Sequence, residues 1–182
     1  VGGGAAGFFA AINTKKNFPD SNVIILESTR RPLAKILVSG GGRCNVTHNL
    51  FDPKIFAKNY PRGSKEILSL FSRFQAQDML DWLNSNGVEL HAERDGRMFP
   101  TTNKSETISK LFLKLQEELK ISLRVGSRVQ SLVKEDSHFV IKIKDQESLN
   151  ADRVLIATGS SPLGHSLAES LGHKVTQLCP SL

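Results

Sequence analysis

Cysteine is scarce in this chain: among 182 residues there are only Cys44 and Cys179, 135 positions apart. That spacing forms neither a disulfide framework nor a zinc ribbon, and it sets a reducing, cytosol-like compartment as the expectation. Long apolar runs are missing as well. Nothing approaches the roughly 18 consecutive apolar residues of a membrane helix, and these residues hold no charged-then-apolar signal peptide with a small-residue cleavage site. No membrane partner is expected. Tyr and Trp occur once each against ten Phe, so the aromatic interleaving of a single-strand nucleic-acid binder is lacking. Phe99 and Phe112 read as core. The five histidines (His48, His91, His138, His165 and His173) share no ligand spacing, and no metal site is expected. There is no internal repeat and no low-complexity tract.

What is present is ordinary for a globular chain: 39% hydrophobic and 23% charged residues, enough to bury a core in one domain or at most two. Lys and Arg (24) exceed Asp and Glu (18), for a net charge of +6. An excess of that size favours phosphate-bearing ligands but is too weak to name nucleic acid. The sequence opens on Val1 directly before three glycines and stops at Pro180-Ser181-Leu182, shortly after an extended-looking Gly172–Val175. Both ends read as cut through structure, so the expectation is a fragment, truncated at both ends, of a longer protein.

The pattern along the chain is α/β. Residues 4–16 read as a helix with Lys15 and Lys16 at its C-terminal end, where cations suit the macrodipole. Val23–Leu26 is a continuous apolar run, as in a strand buried on both faces of a parallel sheet, and it ends at Glu27. Residues 28–63 are rich in Gly, Pro, Asn and Arg and read as a long, partly ordered loop. Helices follow at about 64–74 and 76–86, the second closing at Gly87. Val88–Ala92 and Arg97–Pro100 read as short extended pieces. Ser105 is a candidate N-cap for a helix carrying Ile108, Leu111, Phe112, Leu115 and Leu119 at helical spacing. Val129–Lys134 and Phe139–Lys144 read as an antiparallel hairpin. Val154–Ala157 reads as a second buried strand, leading to Thr158-Gly159 and a short helix near 164–171.

Gly2-Gly3-Gly4-Ala5-Ala6-Gly7 fits G-x-G-x-x-G at the opening of a helix. Gly2 permits the tight turn, Gly4 lets a pyrophosphate approach the backbone, and Gly7 allows close helix–strand packing. The helix N-terminus supplies unsatisfied N–H groups and partial positive charge for the phosphates. Alone, that motif is no stronger than a plain strand–helix turn. Glu27 adds to it, ending an apolar run 20 positions beyond Gly7, where an acid accepts hydrogen bonds from an adenosine ribose. An acid there repels a 2′-phosphate, although Arg30 and Arg31 temper that argument against NADP.

Ser39-Gly40-Gly41-Gly42-Arg43-Cys44-Asn45 is the most distinctive stretch. Three glycines suit an anion-binding nest, Arg43 offers a fixed fork of donors for phosphate or a flavin carbonyl, and Asn45 both donates and accepts. Taken alone, the stretch reads equally as a flexible polar loop. Cys44 invites a redox role if Arg43 lowers its pKa. The plainer reading is a small buried residue.

A plain NAD-binding unit would continue soon with another helix and parallel strand. Here about a hundred residues and a hairpin intervene before Ala157-Thr158-Gly159, a layout that resembles flavoproteins with two dinucleotide-binding domains. Lys35–Val38 followed by Ser39–Asn45 resembles the BaiN/YhiN-like FAD-dependent oxidoreductases, often labelled the aminoacetone-oxidase family. Gly2–Gly7, Gly96–Pro100, Ala157–Gly159 and Gly172-His173 fit the same family. The match runs along essentially the whole chain but covers only about the N-terminal half of such a protein.

The resemblance implies a Rossmann-like FAD-binding domain, with 28–126 as a loop and helical insertion. The family's inserted substrate-side domain and C-terminal flavin-contacting segment lie outside this sequence. It implies that Gly2, Gly4, Ala5, Ala6 and Gly7 hold the pyrophosphate and Glu27 the ribose. Ser39, Gly40, Gly41, Gly42, Arg43, Cys44 and Asn45 would lie along the cofactor, Val129 near the adenine, and Thr158 and Gly159 against the FAD. It implies FAD as cofactor, NAD(P)H as a candidate electron donor and a small-molecule substrate, with no catalytic acid or base named. Ser160–His165 is shorter than the family's usual glycine-rich stretch and resembles a cyanobacterial and plant-plastid branch, which makes a plastid the alternative compartment. The competing readings are an NAD-linked dehydrogenase domain, which leaves Ser39–Asn45 unexplained, and a non-catalytic nucleotide-binding or RNA-modification-associated module.

Overall fold

The computed structural model describes residues 1–178; Cys179 and the three residues after it lie outside that range. Two compact units divide the chain: Val1–Ala34 with the part from Phe112 onward, and Lys35–Leu111. The second unit falls inside the span 28–126 read as an insertion. No helix of the described residues is long and apolar enough to cross a membrane.

The first unit has three layers. Helix α1 (Ala5–Asn17) buries Phe8 and Ile12 completely and ends in Lys15 and Lys16. Strand β1 (Ile24–Leu26) pairs in parallel with β5 (Ser122–Arg124), Ile24 opposite Ser122 and Leu26 opposite Arg124. The Val23 carbonyl and the Glu27 N–H face β5. Leu26 therefore presents its carbonyl to the opposite edge, where it accepts the Gly2 N–H at 2.8 Å. Beyond that, Val1 donates to the Leu155 carbonyl and accepts from the Ala157 N–H, each at 2.8 Å. The extended segments thus run Ser122–Arg124, Ile24–Leu26, Val1–Gly2, Leu155–Ala157.

The third layer is an antiparallel sheet of β6 (Val129–Glu135), β7 (His138–Ile143) and β8 (Leu149–Ala151), in that order. Val129, Leu132, Ile141 and Ile143 project into one cluster with Leu26 of β1 and Leu167 of helix α7 (Pro162–Ser170). Ile141 and Ile143, two apart, share a face by alternation, and the register shift between Val129 and Ser131 brings Val129 to the same side as Leu132. On the α1 side, Phe8 meets Phe112 with ring centroids 6.1 Å apart. This is the α/β Rossmann arrangement with an accessory antiparallel hairpin that the sequence predicts.

In the second unit, β2 (Thr47–His48), β4 (Arg97–Pro100) and β3 (Leu90–Ala92) form an antiparallel sheet in that order. Helices α2 (Ala34–Val38, its first residue counted with the other unit), α3 (Pro53–Ala57), α4 (Ser64–Phe71) and α5 (Ala76–Ser85) accompany it, with a 3₁₀ turn at Ser39–Gly42. Gly87, at φ +79°, closes α5 as its spacing predicts. The hydrophobic helix beyond is α6 (Ser105–Glu118).

Three expectations need correction. The stretch 28–63 is not an unbroken loop: 16 of its 36 residues lie in α2, the 3₁₀ turn, β2 and α3. Its helices are five residues long, too short to display a period. Asp52 caps α3 by accepting the Lys54 and Ile55 N–H groups at 2.8 and 3.1 Å, with Pro53 at the first position. Val154–Ala157 is extended but forms no regular ladder and is not buried throughout, Leu155 being 54% exposed. Ser105 does not act as a cap that accepts a hydrogen bond. It lies within α6, fully buried, and its hydroxyl donates to the Leu37 carbonyl at 3.0 Å.

Candidate functional site

The glycine turn is shaped by sterics. Gly2 sits at φ +107°, where a Cβ would stand 2.4 Å from the Ala157 carbonyl oxygen, so only glycine serves there. A Cβ on Gly7 would lie 2.0 Å from the Gly2 carbonyl oxygen. Glycine in a first helical turn costs about 1 kcal/mol against alanine, and here it permits α1 to close on the turn. Gly4 differs: a Cβ there meets nothing within 4 Å. Gly4 is the N-cap of α1, without a side-chain cap and with no acid in the first turn, and Ala5 and Ala6 are exposed. A helix start left open in this way, with small residues around it, has room and donors for a diphosphate.

Glu27 braces the turn. Its Oε2 accepts the Gly3 N–H at 2.8 Å, and its Oε1 accepts the Thr29 N–H at 2.8 Å and the Ser28 hydroxyl at 3.3 Å. Partial burial pushes the carboxyl pKa up. The N–H groups of Thr29 and Gly3, with the Thr29 and Ser28 hydroxyls, outweigh that and hold it below the usual carboxylate value. Glu27 is therefore ionised at neutral pH. Two carboxylate oxygens offer about four acceptor sites, most of them already engaged, so a ribose hydroxyl fits best by replacing the exposed Ser28 hydroxyl, whose bond is longest. Arg30 and Arg31 are exposed close by in sequence.

Gly2, Gly4, Ala5, Ala6, Gly7 and Glu27 are thus gathered at one end of the parallel segments. Thr158 joins them: its Cα would be 3.1 Å from a Cβ on Gly2. Gly159 follows at φ +62°. Val129 is 2% exposed and its side chain belongs to the core, so only its backbone is available to a ligand. The ladder register shifts between Val129 and Ser131, and such a bulge frees backbone groups from pairing.

In the second unit, Gly40, Gly41 and Gly42 have φ of +56°, +66° and +84°, and Cys44 follows at +62°. A Cβ on Gly40 would stand 2.6 Å from the Asn45 nitrogen and 2.9 Å from the Phe99 ring, whereas Gly41 faces open space. Part of the Arg43 fork is already engaged within the protein. Its Nη1 donates to Glu93 Oε1, and its guanidinium lies 4.0 Å over the Phe99 ring. Cys44 is buried, and burial pushes its thiol up, opposed by the Ser39 hydroxyl. The shift is upward, not the lowering expected from Arg43. Asn45 is exposed.

Gly3, Leu33 and Glu93 carry parts of this geometry that the sequence motifs do not mark. Gly3 occupies the variable position of the glycine motif, yet a Cβ there would meet the Glu27 side chain at 2.8 Å. The Gly3 carbonyl accepts the Leu33 N–H at 2.7 Å, with Leu33 itself buried at φ +59°. The run of three glycines is the signal that pointed to Gly3. A hollow of about 500 Å³ lined by Asn84, Gly87, Glu89, Leu90 and Thr101 contains none of these residues.

Residues 1–179 match the HI0933-like protein Rossmann domain. Among curated proteins, the chain is 30% identical over 190 aligned residues to the 3-dehydro-bile acid delta(4,6)-reductase of Clostridium scindens, covering 100% of this chain and 45% of that one. It is 27% identical to the ribosomal RNA dihydrouridine synthase of Escherichia coli, covering 96% and 44%. The chain spans less than half the length of these relatives. Among solved structures, the 3-ketosteroid-delta4-(5alpha)-dehydrogenase of Rhodococcus jostii RHA1 matches with a TM-score of 0.56 at 17% identity, covering 82% of this chain and 42% of that one. That likeness shows the fold alone.

Proposed function

This chain belongs to the HI0933-like Rossmann domain family, and on that premise we propose that it is the FAD-binding part of a flavin-dependent oxidoreductase. The observation that carries the reading is the pairing of an open, uncapped helix start at Gly4 with a glycine turn braced by the ionised Glu27. The α1 N-terminus at Gly4, Ala5 and Ala6 would hold the pyrophosphate, with Gly2 and Gly7 keeping the turn tight. Glu27 would accept from the ribose. The Val129 backbone would meet the adenine, and Thr158 and Gly159 would border the cofactor. Ser39–Asn45 stays in the proposal as a further cofactor segment on the family resemblance.

FAD, when bound, supplies the electron and hydride transfer; this chain supplies binding, orientation and electrostatic tuning. Reduced nicotinamide nucleotide is the proposed electron donor and a small molecule the proposed substrate, in line with the Clostridium scindens relative's name. A second reading, action on RNA, draws on the Escherichia coli relative's name and on the net charge of +6. A reducing compartment remains part of the proposal, in keeping with the buried free thiol of Cys44.

The test uses the full-length protein under anaerobic conditions. With FAD bound, NADH or NADPH should bleach the flavin absorbance, and a steroid-like enone should restore it. Tight NAD binding with no FAD uptake would overturn the reading in favour of a nicotinamide-linked dehydrogenase. Steeply salt-dependent RNA binding would transfer the substrate assignment to RNA.

A further inference from the structure

Glu93 stands outside every motif, yet it is the hub of a charged cluster. Its Oε1 accepts from Arg43 Nη1 at 2.5 Å and its Oε2 from Arg97 Nη2 at 3.3 Å. Asp95 Oδ2 holds Arg97 Nε at 2.7 Å. Phe99, fully buried, lies under the Arg43 guanidinium at 4.0 Å, and its ring also backs Gly40. The Arg43 and Glu93 side chains are 35% and 29% exposed. Exposed ion pairs are worth little. This one is half-buried and stacked on an aromatic face, and its carboxylate is shared with Arg97.

The adjoining backbone needs such a brace. Cys44 is a side-chain-bearing residue at φ +62°, separated from three left-handed glycines only by Arg43 at φ −101°. Conformations of this kind persist only where the surroundings over-determine them. The Cys44 N–H is held by the Ser39 carbonyl at 3.0 Å, and the Val46 N–H by the Met98 carbonyl at 2.9 Å. Just before those anchors the turn is gripped through Arg43, whose partner lies 50 residues along the chain.

We propose that Glu93 is a positioning residue: by pairing with Arg43 against Phe99, it fixes the Gly40–Cys44 turn in its left-handed form. Arg43 is then a clamp rather than a phosphate ligand, and the glycine backbone is what the turn offers to a cofactor. The consequence for cofactor binding rests on the FAD reading above, whereas the clamp itself is independent of it.

Cys44 reports on the clamp, because its buried thiol reacts only when the turn opens. In the full-length protein, iodoacetamide labelling is followed at fixed pH, with Cys44 and Cys179 resolved by peptide mass spectrometry. Glu93→Gln should raise the Cys44 rate about tenfold, since it takes the charge from the bonds to Arg43 and Arg97 and so weakens the one that holds the turn. Glu93→Asp, which keeps the charge, should return most of that gain. Arg43→Lys keeps the cation but loses fork and stack; it should also speed labelling, and it serves if Glu93→Gln does not fold. Wild-type labelling rates in folded Glu93→Gln or Arg43→Lys protein would overturn the proposal, as would Glu93→Asp labelling as fast as Glu93→Gln. FAD affinity measured on the same proteins separates the two ideas. Faster labelling with unchanged FAD affinity leaves the clamp standing and removes the turn from the cofactor site.

Discussion

Gly3 and Glu27, 24 residues apart, are joined by one hydrogen bond from the Gly3 N–H to Glu27 Oε2 at 2.8 Å. The acid at the end of β1 therefore holds the glycine turn in shape before any ribose arrives. Replacing Glu27 removes a brace and a ligand together. Glu27→Ala should weaken FAD binding by about 1–3 kcal/mol and lower folding stability by about 1 kcal/mol. Calorimetric titration and denaturant unfolding of the same variant check both values. Unchanged affinity in a folded variant would remove Glu27 from the site.

The Glu27 pKa gives that brace a pH dependence. Its folded-state pKa lies below the ordinary value, so its stabilisation is present above the unfolded carboxylate pKa. It is lost as pH falls through the folded one. The stability difference between wild type and Glu27→Gln should therefore be constant near neutrality and shrink in the acid range. Urea midpoints measured down the pH scale check this, and a difference that grows on acidification would contradict it.

Two glycines of one motif should respond in opposite ways. Gly7→Ala drives a Cβ to 2.0 Å from the Gly2 carbonyl oxygen and should cost about 1–3 kcal/mol of stability, as other overpacking changes do. Gly4→Ala meets nothing within 4 Å and should change stability by under about 1 kcal/mol, while its methyl intrudes where the pyrophosphate is proposed. Thermal melts with and without FAD distinguish them: a lower melt for Gly7→Ala, and loss of the FAD-induced shift for Gly4→Ala.

Ser105→Ala deletes a buried hydroxyl that donates to the Leu37 carbonyl at 3.0 Å. It leaves that carbonyl without this donor and should destabilise by about 1–2 kcal/mol. An unfolding midpoint equal to wild type would mean that water replaces the hydroxyl.

The parts of this fold that the sequence revealed were those encoded locally. The glycine motif, the run ending at Glu27 and the β6–β7 hairpin each carry their period or spacing within a few residues. The parallel partner of β1 was missed because Ser122–Arg124 is three residues long with one exposed end, too little for any period to show. Helices α2 and α3 were absorbed into a loop for the same reason. The Arg43 fork suits phosphate, but its pairing with Glu93, 50 residues away, has no local signal in the sequence. The strand read at Val154–Ala157 has the right composition but, among the described residues, pairs through the Val1 rung alone.

The most direct test of the central claim is the visible spectrum of the purified full-length protein, with identification of whatever denaturation releases. A flavin absorption spectrum and released FAD are expected, with both fading in Gly4→Ala. A colourless, folded protein that takes up no added FAD would contradict it.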